Sequence, residues 1–254
     1  MEWTAIILAG GQSSRMGTNK AVLPLAGSPV IERIVAEMKK VTGHIVLSGG
    51  QSTAYAYLGL PVLQDIYPGR GPLAGLHAGL KASSTDWNLV VSCDMPFVNA
   101  PLMQYLACQA FSAEQSRIEQ SHMQQSRFEQ RFWDQKGKEK EVEVIVEAEV
   151  KGEDDLKEEG RGKQKRIEAI IPRVNCREHP LLAMYRRSVL PGLEQALEQG
   201  SLRVNGWSSE LAVKYISGEE LSSASGLPAE VAAFNMNRPE DYEAAKLYYE
   251  HYLL

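Results

Sequence analysis

The stretch Ala5-Ile6-Ile7-Leu8-Ala9-Gly10-Gly11-Gln12-Ser13-Ser14-Arg15-Met16-Gly17-Thr18-Asn19-Lys20 joins an unbroken apolar run to a glycine pair and two cations. A short apolar run without polar alternation reads as a strand covered on both faces, as in a parallel sheet. A second such run, Asn88-Leu89-Val90-Val91-Ser92-Cys93-Asp94, ends in an acid. Between the two, Val30, Ile31, Ile34, Val35 and Met38 recur at helical spacing and predict a helix over 29–40. Strands are expected at 44–48, closed by Gly49-Gly50, and at 61–65, with a helix over 73–81. Strand, helix, strand, helix, strand is the order of a doubly wound α/β domain, a mostly parallel sheet with helices on both faces. Such sheets bind ligands outside the carboxyl ends of their strands. Gly10-Gly11 and Asp94 both fall at such ends.

Beyond this half, a strand is expected at 168–173, an apolar segment at 180–185, a helix over 188–199 and a final helix from Pro239 to about residue 252, since proline suits a first helical turn. Between the halves the composition changes. Residues 111–168 hold 27 charged side chains in 58 positions and no proline, against 32 in the rest of the chain. A structureless connection of that length is improbable inside a compact domain. The segment therefore reads as an insertion within a single domain spanning 1–254, with a helix over 113–135, a strand or hairpin arm at 141–150 and a mobile charged loop at 151–166. A lid, a partner-binding arm and a neutral ornament all remain open for it.

A net charge of −5 offers no general attraction to nucleic acid, so an anionic ligand needs a local positive site. Cys93, Cys108 and Cys176 include no CxxC pair, which disfavours a disulfide framework or a structural zinc site. The apolar run at residues 5–8 is too short for a signal peptide and lacks a basic leader, and no stretch approaches the ~20 apolar residues of a membrane span. A cytoplasmic protein with neither nucleic acid nor membrane as partner is expected.

The chemistry of the loop follows from its residue types. The glycine pair lets backbone amides approach a polyphosphate. Ser13 and Ser14 add donors, Arg15 a planar fork matching phosphate oxygens, and Lys20 a mobile point charge. The spacing is neither GxxxxGK[ST] nor GxGxxG. A glycine-rich turn carrying two solvated cations is the alternative. Asp94, at the end of a buried strand, requires a partner, because a lone buried carboxylate is costly. Mg²⁺ bridging triphosphate oxygens would supply one, and so would a helix cap or a salt bridge.

The pattern LAGGxSxRMGxxK over residues 8–20 resembles the signature of the GT-A-like nucleotidyltransferase superfamily, and within it the MobA-type guanylyltransferases. Cys93-Asp94-Met95-Pro96-Phe97, Gly69-Arg70-Gly71-Pro72-Leu73-Ala74-Gly75, His179-Pro180 and Asn235-Met236-Asn237-Arg238-Pro239-Glu240-Asp241 are similar to further family elements. The likeness covers residues 5–110 and 168–250 and implies a three-layer, Rossmann-like fold. It implies that Leu8, Ala9, Gly10, Gly11, Lys20, Ser48, Asp65 and Asp94 contact the nucleotide, although many members carry asparagine where Ser48 stands. By the same resemblance, Arg15, Lys20 and Asp94 are catalytic, Asp94 holds Mg²⁺, and His179, Asn235 and Asn237 meet the acceptor. Arg173 and Arg177 are further candidates for an acceptor phosphate, and Arg70 for a nucleotide phosphate. Gly10, where related cytidylyltransferases carry alanine, leaves room beside a purine; one methyl discriminates by only about 1–3 kcal/mol. The expected activity is transfer of GMP from GTP to molybdopterin with release of pyrophosphate, serving apo-molybdoenzymes or their chaperones. The alternatives are a cytidylyl- or sugar-nucleotide transferase with the same loop, or a non-catalytic adaptor that delivers cofactor.

Overall fold

β1 (Thr4–Leu8) is buried along its whole length. Successive strand side chains point to opposite faces. Ala5, Ile7 and Ala9 therefore join one apolar cluster, and Ile6 and Leu8 another. This is the physical content of an apolar run without alternation: the strand has two interiors. The structure is a computed structural model and describes residues 2–10, 20–49, 52–115 and 166–254. Gly11 and Arg15 lie outside the described residues. So do the strand expected at 141–150, nearly all of the loop expected at 151–166, and the helix expected over 113–135 beyond residue 115.

After a 3₁₀ turn at Lys20–Val22 come the short hairpin β2 (Pro24–Leu25) and β3 (Ser28–Pro29), helix α1 (Val30–Lys39) and strand β4 (Ile45–Ser48). A 3₁₀ helix, Ser52–Leu58, precedes β5 (Val62–Leu63), α2 (Pro72–Ala82) and β6 (Trp87–Ser92). Residues 100–115 are helical, α3. Then follow β7 (Ala169–Val174), β8 (Arg177–Glu178), β9 (Leu182–Arg186), a 3₁₀ turn at Arg187–Val189, α4 (Leu190–Glu198), α5 (Val204–Ser208), β10 (Val213–Ser217), α6 (Gly218–Ser225), α7 (Ala229–Ala232) and α8 (Pro239–Leu253).

Apart from the separate β2–β3 hairpin, the described strands form a sheet in the order β10-β7-β9-β6-β1-β4-β5, with β8 on β7. β1 pairs in parallel with β4 and β6, β4 with β5, and β10 with β7; β9 runs antiparallel between β6 and β7. Residues from α1, α3, α6, α7 and α8 pack on the face of Ile7, and residues from α2, α4 and α5 on that of Ile6. The result is the expected three-layer α/β arrangement. α2 lies close on the sheet because Gly79 carries no side chain: a Cβ there would sit 2.4 Å from Ile6 Cγ2. α3 begins at Asn99, whose Oδ1 accepts from the Leu102 amide at 3.1 Å, while Glu37 Oε2 accepts from the Ala100 amide at 2.9 Å. Both contacts satisfy donors that a helix start leaves orphaned.

Two expectations are refined. The strand expected to run to Asp94 stops at Ser92, since the Met95 amide donates to the Ser92 carbonyl and turns the chain. Asn235 and Asn237, whose alternate spacing would suit one face of an extended strand, lie on a connection without ladder pairing. The chain divides into two units, Met1–Ser112 with Ile167–Leu254, and Ala113–Arg166. In the described part of the second, Arg166 Nη2 lies 3.3 Å from both Glu114 carboxylate oxygens.

Candidate active site

From β1 the chain moves outward through β4 and β5 and then returns to the other side of β1 as β6. The strand order reverses between β1 and β6, which opens a crevice at their carboxyl ends. The Cys93 amide donates to the Leu8 carbonyl across this seam at 3.0 Å, so the ends carrying Ala9-Gly10 and Asp94 lie side by side. The antiparallel course of β9 brings its first residues to the same edge, where the Ser92 amide donates to the Leu181 carbonyl at 2.9 Å.

On the β4 side, Ala9 is gripped twice. Its amide donates to the Ser48 carbonyl at 2.9 Å, and its carbonyl accepts from the buried Tyr55 hydroxyl at 3.2 Å. Gly10 lies against Gly49, which adopts φ +89°; a Cβ on Gly49 would meet Gly10 Cα at 2.7 Å. Ser48 is fully buried and donates its hydroxyl to the Gly75 carbonyl at 2.6 Å. Asp65 stands nearby, 3.9 Å from where a Cβ on Gly75 would be. Its Oδ1 is buried without a hydrogen-bond partner among the described residues, and burial raises its pKa above the ordinary carboxylate value. That oxygen is an unspent acceptor of the kind a base amine or a ribose hydroxyl satisfies.

Across the seam, Lys20 Nζ donates to Asn237 Oδ1 at 3.2 Å and lies 3.8 Å from Asp94 Oδ2. The Asp94 carbonyl accepts from the Met236 amide at 2.9 Å, which pins the segment carrying Asn235 and Asn237 beneath the carboxylate. Asp241 Oδ2 accepts from the Asn237 and Arg238 amides at 2.7 and 2.8 Å and fixes the start of α8. Burial raises the Asp94 pKa, opposed by a hydrogen bond from Ser92 and by the Lys20 charge. The neighbouring Cys93 thiol is pushed up to about 12, by burial first and the Asp94 charge second. Asp94 Oδ1 and Asn235 Oδ1 are buried without hydrogen-bond partners among the described residues. The cation facing this carboxylate among the described residues is Lys20, 3.8 Å away, which leaves it undercompensated, and hard oxygen donors stand ready. Among the described residues no three His, Cys, Asp or Glu side chains gather as a metal cluster. Such a donor set fits a divalent cation of the magnesium kind, which takes one or two protein carboxylates and completes its shell with phosphates and water.

A cavity of about 450 Å³ adjoins this point, lined among others by His179, Pro180, Arg177, Arg203, Asn205 and Asn235. His179 and Asn235 therefore share one chamber, whereas Asn237 turns to Lys20. Burial, then the Arg177 charge, lowers the His179 pKa to about 4. Two guanidinium groups stand beside a neutral imidazole, and the one carboxylate among the described lining residues, Glu178, is already paired with Arg173, a balance that suits an anionic guest. Arg173 stands apart: it donates to Glu178 Oε1 at 2.8 Å and stacks over the Tyr215 ring at 3.4 Å. Arg70 reaches toward the bare face of Gly200. Arg203, Asn205 and Tyr55 were not marked by any sequence motif; Tyr55 sits in a 3₁₀ helix whose pattern gives no periodic signal.

A seam of this kind, with an acid and a lysine facing a glycine-bearing strand end, defines an α/β nucleotidyltransferase. The profile of the MobA-like NTP transferase domain matches residues 5–209, and the chain belongs to that family. It is 29% identical to a protein of Pelotomaculum thermopropionicum named "Probable molybdenum cofactor guanylyltransferase", over 97% of this chain and 93% of that one. A protein of the same name from Carboxydothermus hydrogenoformans is 29% identical over 94% of this chain and 93% of its own. Among solved structures, molybdopterin-guanine dinucleotide biosynthesis protein A from Archaeoglobus fulgidus superposes with a TM-score of 0.65 at 21% identity, over 98% of this chain and 99% of that one. Among the described residues no helix is long and apolar enough to cross a membrane.

Proposed function

We propose that this protein transfers GMP from GTP to the terminal phosphate of molybdopterin, releasing pyrophosphate and forming the guanine dinucleotide cofactor. The observation that carries the proposal is the undercompensated Asp94 carboxylate beside Lys20, at the seam where β1 presents Ala9-Gly10. On this reading the triphosphate lies along residues 8–11 with Lys20 and Arg15 on its phosphates. Asp65 accepts from the base or ribose. Ser48 acts through Gly75, on which its hydroxyl proton is engaged. Asp94 would hold Mg²⁺, which would neutralise phosphate charge as pyrophosphate departs.

An acceptor phosphate oxygen attacks the α-phosphorus in line; the bond from that phosphorus to the bridging oxygen breaks, and the pyrophosphate takes the electron pair. A phosphate monoester, with its second pKa near 6, is largely ionised at neutral pH. No general base is needed, and positioning with charge neutralisation carries the rate. His179 and Asn235 face the acceptor in the arginine-bearing chamber, and Asn237 steadies Lys20. Residues 1–254 act as one nucleotidyltransferase domain with 111–168 as an insertion, working in the cytoplasm and supplying apo-molybdoenzymes or their chaperones.

The test is pyrophosphate release with Mg²⁺ and molybdopterin, comparing GTP, CTP and ATP. Release with GTP alone supports the proposal. Release with CTP moves the protein to the cytidylyl branch, and nucleotide binding without release favours the adaptor.

A further inference from the structure

Two buried tyrosines perform the same local task on the two sides of the site. Tyr55, 2% exposed, donates its hydroxyl to the Ala9 carbonyl. Tyr185, fully buried against Trp207, donates to the Pro180 carbonyl at 2.8 Å. In a trans peptide the carbonyl and the following N–H point in opposite directions. Holding the Ala9 carbonyl against the core therefore fixes the direction of the Gly10 amide. Holding the Pro180 carbonyl likewise fixes that of Leu181, which lines the 450 Å³ chamber beside His179. Neither phenol is exposed to meet a substrate. Each lies behind a backbone segment that the functional reading places against one.

We infer that Tyr55 and Tyr185 are positioning residues, Tyr55 for the nucleotide and Tyr185 for the phosphate-bearing acceptor, each acting by orienting one peptide plane. The inference rests on the proposed guanylyl transfer for the names of the two substrates. Ser48 and Gly49 hold the same strand end from the β4 side, through the Ala9 amide and the Gly10 Cα. Tyr55 supplies the remaining constraint, the rotation of the Ala9–Gly10 plane. On the acceptor side, the His179 amide donates to the Pro172 carbonyl at 2.9 Å and the Leu182 amide to the His179 carbonyl at 2.9 Å. The Pro180–Leu181 plane is the one these two bonds leave unfixed.

The test is a crossed pair, Tyr55→Phe and Tyr185→Phe, each removing one oxygen and keeping the ring. Nucleotide binding is measured directly by titration calorimetry with GTP and Mg²⁺, and KM for GTP and for molybdopterin is measured with the full chain. Losing one hydrogen bond corresponds to about a 2- to 12-fold change. The expected result is that Tyr55→Phe weakens GTP by that factor and leaves the molybdopterin KM unchanged, while Tyr185→Phe does the reverse. A merely structural role predicts lower thermal stability in both variants with neither KM moved, or both moved together; either outcome overturns the inference, as does failure of either variant to fold. If wild-type protein binds CTP in place of GTP, the functional reading fails, and the crossed comparison proceeds with CTP.

Discussion

Placing alanine at Gly49 adds one methyl group at the most confined backbone contact of the nucleotide side. Two costs combine. Gly49 has φ +89°, a conformation that costs a side-chain-bearing residue about 1–3 kcal/mol. The new Cβ would also stand 2.7 Å from Gly10 Cα and 2.8 Å from Gly10 N, so the strand end must retreat by roughly 0.7 Å to reach ordinary contact at 3.4 Å. Backbone cannot swing aside as a long side chain can, and forced overpacking costs about 1–3 kcal/mol more. The total, about 2–6 kcal/mol, lowers the melting temperature by about 4–24 °C in a chain of this size. Gly27 supplies the control: its φ is +84° and no atom lies within 4 Å of its added Cβ, so Gly27→Ala carries the strain without the collision. Thermal unfolding and GTP titration on both variants separate the terms. Gly49→Ala should lose more stability than Gly27→Ala, and it alone should lose GTP affinity. Equal losses of stability with unchanged GTP affinity in both would refute the reasoning that Gly49 seats Gly10.

Asp94→Asn should abolish turnover yet leave the cation-free protein at least as stable as wild type, because the buried charge is a cost that burial imposes; a large drop in melting temperature would count against this. The sign with pH follows from the raised Asp94 pKa. The cation-free protein loses stability as pH rises and Asp94 ionises, and cation affinity falls as pH drops through that raised value, at a higher pH than an ordinary carboxylate near 3.9 gives; metal titrations across pH check it. His179, with a pKa of about 4, stays neutral between pH 5.5 and 8, so the molybdopterin KM should show no inflection near 6.5 from this group. Gly79→Ala should be destabilised by about 1–3 kcal/mol through its collision with Ile6, partly offset by about 1 kcal/mol of helix propensity. Its GTP affinity should match wild type, a pairing that denaturant melts and calorimetry test together.

The half of the sheet holding β1, β4, β5 and β6 was legible because each strand is a local apolar run, buried on both faces in β1 and β6 and closed by a glycine pair or an acid after β4 and β5. The helices at 29–40 and 73–81 were legible for a similar reason, and α1 and α2 begin and end within a residue of them. β9 was not, since residues 180–185 announce apolarity but nothing about direction: its antiparallel place between β6 and β7 is decided by partners far along the chain. α3 escaped notice although Asn99-Ala100-Pro101 carries a start signal, because the change in composition at residue 111 falls inside the helix. At the site, the glycines and Asp94 could be marked from strand ends. The pairing of Lys20 with Asn237, 217 positions away, has no local trace. Nor has the engagement of the Ser48 hydroxyl on Gly75, which depends on how closely α2 lies over β4.

That Lys20–Asn237 bond has a bearing on how such a chain could be re-engineered. The donor-handling residues precede position 100, and the chamber around His179 is built mostly from residues after 166, with Pro72 and Met95 completing its wall. The order along the chain therefore separates the two recognition tasks, much as a plug is separate from its socket. A designer wishing to retarget the enzyme to another phosphate-bearing acceptor could graft a foreign C-terminal half onto the native front half. The graft would have to bring one small requirement with it: an amide oxygen at the place of Asn237, without which the native front half would keep a lysine that has lost its hydrogen-bonded amide.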